Sequence, residues 1–309
     1  MKTKLFYSII ALAVFLFSCD KVEQPNPHQF DNTDCKQFNP ILKNNFSVSG
    51  FRKVLLEDYT GHYCGNCPPA ATKAESLAAT YGSSLVVIAN HVSEQFAKPN
   101  RDTSSIFYRE DFRNPASTEW DVTLGMSSAG LPKGAVNRIQ KPTYPQNISA
   151  WSALIPVELA KPQSVKLDVS TSYDPTKKIL DVKVKSTFLS SISSDVYLSI
   201  IVIQDSIISE QKDYLLPASQ VTDPEDPDKR VNYRFDHIVV NSLNGTWGDL
   251  IKKVPVAGDT ATVSKNCISI GKCFYKSLVC TNDKNLSLVA FAYNATTKEI
   301  LQVEKLKLR

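Results

Sequence analysis

Cys64 and Cys67, two residues apart, lie in the run Leu55 to Pro69, LLEDYTGHYCGNCPP, where this chain concentrates its reactive chemistry. An apolar, strand-like segment leads into Cys64-Gly65-Asn66-Cys67, and Pro68-Pro69 then opens a helix. Cysteines at a helix start have lowered thiol pKa values, because unpaired backbone N–H groups and the positive end of the helix dipole favour the thiolate. In an oxidising compartment such a pair can close into a small disulfide and reopen with the redox state of a partner. His62 either bonds and tunes the Cys64 thiolate or is a plain surface histidine. Lys133, if near the pair, would also favour the thiolate. A zinc site from His62, Cys64 and Cys67 lacks a fourth ligand, so no metal and no cofactor is expected.

The elements that must hold this pair follow from pattern. Val54-Leu55-Leu56 is continuously apolar, as a buried central strand is, and predicts a strand over Phe51 to Tyr59. Ala70 to Tyr81 is Ala-rich and closed by Gly82, which predicts a helix with a glycine cap. Ser84 to His91 predicts a second buried strand, and strand–helix–strand order implies parallel pairing with a right-handed crossover. Ser104 to Phe112 is predicted helical and broken by Asn114-Pro115. Gly134 to Ile139 predicts a strand and Asn147 to Leu159 a closing helix. His91 and His237 are predicted as core or surface histidines.

Residues 163–309 predict about seven short strands: Ser164–Ser172, Ile179–Leu189, Val196–Gln204, Tyr233–Asn241, Thr260–Ile270, Leu286–Tyr293 and Ile300–Leu308. Alternation with turn signals between them suggests an all-β, immunoglobulin-like sandwich. The acidic loop Asp223 to Asp228 is broken by Pro224 and Pro227 and does not fit a calcium loop, so it is predicted to be solvated.

The N-terminus reads as a lipoprotein signal over residues 1–18. Lys2 and Lys4 precede a thirteen-residue apolar run, Leu5 to Phe17, too short for a spanning helix of about 20 residues. Leu16-Phe17-Ser18-Cys19 resembles a lipobox, which makes Cys19 the lipidation candidate and a lipid anchor the link to a membrane. Residues 19–46, with Pro25, Pro27 and Pro40, predict a flexible tether. The formal charge of +4 includes Lys2 and Lys4, so the mature chain is near neutral and nucleic-acid binding gains no support. Seven cysteines and two methionines suit an extracytoplasmic setting. Cys35, Cys267, Cys273 and Cys280 are structural disulfide candidates with three connectivities open.

The cysteine run resembles the thioredoxin superfamily. That resemblance implies Cys64 as the attacking sulfur, Cys67 as the resolving one and Asp58 as a buried proton carrier. It also implies Pro132, in Gly130-Leu131-Pro132, as the cis-proline opposite the cysteines. Tyr63 replaces the usual Trp, and Lys133 stands where a Thr is common. A wider resemblance rests on the lipoprotein signal and on Thr60-Gly61-His62-Tyr63-Cys64-Gly65-Asn66-Cys67-Pro68. It extends to Tyr233…His237, Gly245-Thr246-Trp247-Gly248 and a β-rich second half. Together these are similar to the outer-membrane-protein-twenty-eight lipoproteins of Bacteroidetes. The implied architecture is an α/β thioredoxin-like domain over 47–162 followed by the sandwich over 163–309, in the cell envelope at the outer membrane.

Two functions fit. In one, the protein is a thiol–disulfide oxidoreductase with a protein thiol or disulfide as partner. In the other it is a non-enzymatic surface lipoprotein that binds an envelope or extracellular partner, with a structural Cys64–Cys67 disulfide.

Overall fold

The computed structural model describes residues 43–48, 50–102, 104–140, 143–270 and 283–309. Cys19, Cys35, Cys273 and Cys280, with the signal segment and most of the expected tether, lie outside these residues. The tether's expected end is corrected: β1 (Lys43–Val48) is a strand paired antiparallel to β5 (Val165–Asp174).

The strand–helix–strand expectation holds over β2 (Val54–Thr60), α1 (Pro68–Tyr81) and β3 (Leu85–His91), and β2 and β3 pair in parallel. After the short α2 (Glu94–Ala97) comes α3 (Pro115–Leu124), then β4 (Lys133–Val136), antiparallel to β2, and α4 (Ile148–Leu159). The helix expected over 104–112 does not form. Its polar side chains bond nearby backbone instead: Asp102 Oδ1 accepts from Ser104 N, and Ser105 Oγ from Phe107 N. Asn114-Pro115 starts a helix where a break was expected: Asn114 Oδ1 accepts from Ser117 N at 2.9 Å, and Pro115 sits at the first helical position.

In the second half β5 is followed by β6 (Ile179–Phe188), β7 (Val196–Gln204), β8 (Ile207–Lys212) and β9 (Lys229–Phe235). Then come β10 (Ile238–Ser242), β11 (Asp249–Lys252), β12 (Thr260–Ser269), β13 (Leu286–Asn294) and β14 (Ile300–Lys307). The single strand expected over Tyr233–Asn241 is two, divided at His237, whose φ is 61°. Strands β8 and β11 have no counterpart in the sequence reading.

The two halves share one sheet, which differs from a self-contained α/β body followed by a separate sandwich. A mixed eight-stranded sheet runs β14-β13-β7-β10-β3-β2-β4, with β11 beside β7; a four-stranded sheet runs β1-β5-β6-β12. The long sheet curls until β14 meets the ends of β2 and β4: Ile300 N donates to Asn137 O at 2.9 Å and Lys53 N to Gln302 Oε1 at 3.1 Å. Alternate residues of β7 and β13 serve two cores. Leu198, Ile200, Leu288 and Ala290 face the four-stranded sheet, while Ile201, Ile203, Val289 and Phe291 face the inside of the curl. Covered on both faces, these strands read as continuous apolar runs, whereas β5 alternates buried and half-buried residues. Helices α1 and α4 pack Ala74, Leu77, Trp151 and Ile155 on the other face of β2 and β3. Among the described residues no helix is long and apolar enough to cross a membrane, which says nothing of a β-barrel.

Candidate functional site

The cysteine pair sits where β2 runs into α1. Gly61 makes the turn because a Cβ there would lie 2.2 Å from Phe96 O. The loop is then a ladder of short backbone bonds: Cys64 N donates to Gly61 O at 2.9 Å, and Cys67 N to Cys64 O at 3.0 Å. Cys67 is the N-cap residue of α1, with Pro68 and Pro69 at the positions that need no N–H partner. Cys64 and Cys67 form a disulfide, S–S 1.99 Å, with Cα atoms 5.3 Å apart.

Asp58 lies on β2 between Ala89 of β3 and Gly134 of β4. Its carboxyl is buried and Oδ1 has no hydrogen-bond partner. Burial raises its pKa to about 7, and the positive His237 lowers it by less. Asp58 and Cys67 line one cavity of about 310 Å³, together with Thr60, His91, Arg230, Tyr233 and His237 among others.

The expected neighbours fall in different places. Leu131-Pro132 is a cis peptide bond, and Pro132 precedes the residue of β4 that pairs with Tyr59, at the C-terminal end of β2. Pro132 and Lys133, however, line a separate concavity with Asn147 and Ile148, which includes neither cysteine. Lys133 Nζ bonds Asn147 Oδ1 at 2.6 Å. His62 is buried against Tyr63, Tyr108 and Phe112, and its Nε2 is 3.2 Å from Lys98 O. Burial lowers its pKa to about 4, so it is neutral near pH 7 and not the surface histidine of one sequence reading. Cys267 is disulfide-bonded, with its partner outside the described residues. Among the described residues no group of His, Cys, Asp and Glu is arranged to hold a metal.

Four features of the site escaped the sequence reading. The first is a cover over the cysteines. Lys212 N donates to His62 O at 2.7 Å, Tyr214 N to Gly65 O at 2.9 Å and Gln211 Nε2 to Cys64 O at 3.0 Å. Cys64 and Cys67 are each 2% exposed beneath this strap. The second is His237, whose ring nitrogens lie 2.9 Å from Asp205 Oδ1 and 2.9 Å from Glu75 Oε1. Burial alone would lower its pKa, but the two carboxylates outweigh burial and raise it to about 9. The third is His91, buried with both ring nitrogens unpartnered, its pKa lowered by burial and by His62 to about 3. The fourth is Arg230, whose Nε is buried without a partner although its other end pairs with Asp213. None lies at a telling spacing from the cysteines; the Tyr233…His237 stretch was the one available signal.

A family model described as outer membrane protein Omp28 matches residues 122–309. No curated protein matches the sequence. Two solved structures are similar. One, a protein from Agrobacterium tumefaciens, AGR_C_4864, has 14% identity and TM-score 0.48, covering 84% of this chain and 96% of that one. The other is a domain of the outer membrane lipoprotein Omp28 from Porphyromonas gingivalis, with 14% identity and TM-score 0.28, covering 47% of this chain and 88% of that one.

Proposed function

The chain belongs to the Omp28 family of outer membrane proteins, and on that premise we propose an envelope lipoprotein whose first half is thioredoxin-like and carries out thiol–disulfide exchange. Lipid on Cys19 anchors it at the outer membrane. The thioredoxin-like unit spans 47–162 and the β-sandwich unit 163–309. The order β2, cysteine loop, α1, parallel β3, then cis-Pro132 and antiparallel β4 supports the first half of this reading.

One observation carries the exchange reading: an unpartnered, buried Asp58 shares a cavity with Cys67 and has a pKa of about 7. An uncompensated buried carboxyl costs stability wherever it ionises. A group held between protonated and ionised near neutrality, beside a sulfur that must gain or lose a proton, is what exchange needs. Reduction breaks the Cys64–Cys67 bond, and Asp58 supplies a proton to the thiolate that is released into the cavity.

The test is the rate of disulfide opening by an added thiol, followed by quenched alkylation across pH 5–9. Once the thiolate fraction of the reagent is divided out, the wild type should show an inflection near the Asp58 pKa of about 7, and Asp58→Asn should lack it. A disulfide that opens only at the global unfolding rate would defeat the proposal. A second reading, a binding lipoprotein with a structural disulfide, draws on the 2% exposure of both cysteines beneath the strap. It expects that slower outcome.

A further inference from the structure

The side of the disulfide on which a partner polypeptide would dock is already occupied. His62 O, Cys64 O and Gly65 O, backbone acceptors of the cysteine loop, are taken by Lys212 N, Gln211 Nε2 and Tyr214 N. The Tyr214 ring packs so close that a Cβ on Gly65 would lie 2.6 Å from it. Cys67, and not Cys64, lines the cavity on the other side. At about 310 Å³ it is at the small end of ligand pockets, and roughly twice an engineered cavity that takes up benzene.

We propose, resting on the exchange reading above, that the substrate is a small carboxylate-bearing thiol of about the size of free cysteine, which enters this cavity and reacts at Cys67. The cavity has a rim and a floor. The Glu75 and Arg234 side chains at the rim are 53% and 61% exposed, while Asp58 and His91 are buried. The three cations that line it each have a carboxylate already: Arg230 pairs with Asp213, Arg234 with Asp236, and His237 with Glu75 and Asp205. What is left for an anion is the unpartnered end of Arg230. The buried Arg230 Nε has a proton to donate, and His91 offers one nitrogen donor and one acceptor without partners. A zwitterionic ligand with one carboxylate and one amine can satisfy groups that the protein leaves unpaired.

The chemistry balances in two steps. A substrate thiol passes its proton to ionised Asp58 and attacks Cys67 Sγ, forming a mixed disulfide and breaking the Cys64–Cys67 bond, with Cys64 leaving as the thiolate beneath the strap. A second substrate thiolate attacks the substrate sulfur of the mixed disulfide. Cys67 then leaves, takes the Asp58 proton, and the substrate departs as its symmetrical disulfide. Two small thiols are oxidised and one protein disulfide is reduced; run backwards, the same steps oxidise the protein.

The experiment uses the full oxidised chain with three reductants at matched thiolate concentration: cysteine, cysteamine, which lacks the carboxylate, and a reduced thioredoxin-type protein. Disulfide opening is read by alkylation and mass spectrometry, and the adduct is mapped by peptide. Cysteine should open the disulfide about tenfold faster than cysteamine, the equivalent of one charge-assisted hydrogen bond to the carboxylate. It should also outpace the protein reductant and form its adduct on Cys67. Ala71→Phe, which fills the cavity from α1, and Arg230→Gln should each slow cysteine and leave the cysteamine-to-protein ratio of the parent unchanged or lower. A protein reductant as fast as cysteine, cysteamine equal to cysteine, or adducts on Cys64 would overturn the proposal and leave exchange standing. Opening by every reductant only at the unfolding rate, measured by hydrogen exchange, would overturn the exchange reading itself.

Discussion

Glu57 and Asp58 are neighbours on β2, both carboxyls, both buried, and their fates are opposite. Glu57 points with Leu55 and Tyr59 into the curl of the long sheet, where Arg138 Nε and Nη2 donate to its two oxygens at 2.7 and 2.8 Å. The rings of Trp120 and Phe291 lie 4.9 and 5.3 Å from the guanidinium carbon. The cation is held by its carboxylate and by ring faces. Asp58 points the other way, toward α1 and the cavity, and meets no partner for Oδ1. One charge is neutralised by a counter-ion and the other by a proton. The first arrangement holds structure; the second leaves a group that can trade protons near pH 7.

The largest expected effect comes from breaking the satisfied side. Arg138→Leu leaves Glu57 buried without its counter-ion and should cost about 3–5 kcal/mol in urea unfolding. A loss under about 1 kcal/mol would mean that the pair with Arg138 does not hold this side of the strand, and the contrast between the two carboxyls would fall. Next is His237, which joins three segments through Asp205 and Glu75. Its folded pKa of about 9 lies above the unfolded 6.5. Its contribution is therefore complete below pH 6.5 and is lost as pH rises through 9, and it amounts to at most about 3 kcal/mol. His237→Gln should flatten that part of the stability curve.

The legible parts were those with local causes. Continuous apolar runs announced β2, β3, β7 and β13, and two cysteines before two prolines announced the start of α1. Asp58 was legible only through the resemblance to the thioredoxin superfamily, which implies a buried carboxylate at that place before Cys64. The strap was not. Its strand β8, IISEQK, carries four polar residues in six, and pairs with β9 across an intervening loop. Glu75, Asp205 and His237 meet from segments far apart in the chain, which only the fold brings together. The irregular stretch over 104–112 failed for the opposite reason: helix propensity is a weak preference, and turns capped by Asp102 and Ser105 won.

Breaking the unsatisfied side should have the reverse sign. Asp58 shifts from 3.8 in the unfolded chain to about 7 when folded. Between those values the unfolded chain has lost the proton and the native one keeps it, so stability falls as pH rises, by roughly 4 kcal/mol in all. Asp58→Asn removes that loss, while its amide, unpartnered in turn, costs about 1–3 kcal/mol. The net expectation at pH 8 is a gain of about 2 kcal/mol, shrinking to a loss at pH 4. A variant less stable at every pH would show that Asp58 has a partner and belongs with Glu57.

The smallest effect on stability, and the sharpest on access, is expected from Tyr214→Ala. Its side chain is half exposed, with Lys212 Nζ 5.7 Å from its ring centre, so the variant should lose under about 1 kcal/mol. The three bonds from Gln211, Lys212 and Tyr214 to the loop do not involve the Tyr214 side chain and remain. The variant therefore separates two covers, a ring and a strip of backbone. If the ring closes the disulfide, a protein reductant should gain at least several-fold in rate while cysteine, arriving from the Asp58 side, does not change. If the strip closes it, neither reductant gains, and Gln211→Ala, which frees Cys64 O, should admit the protein where Tyr214→Ala does not. Equal acceleration of both reductants would place their entry on the same face, and the division between a closed outer side and an open cavity would fall.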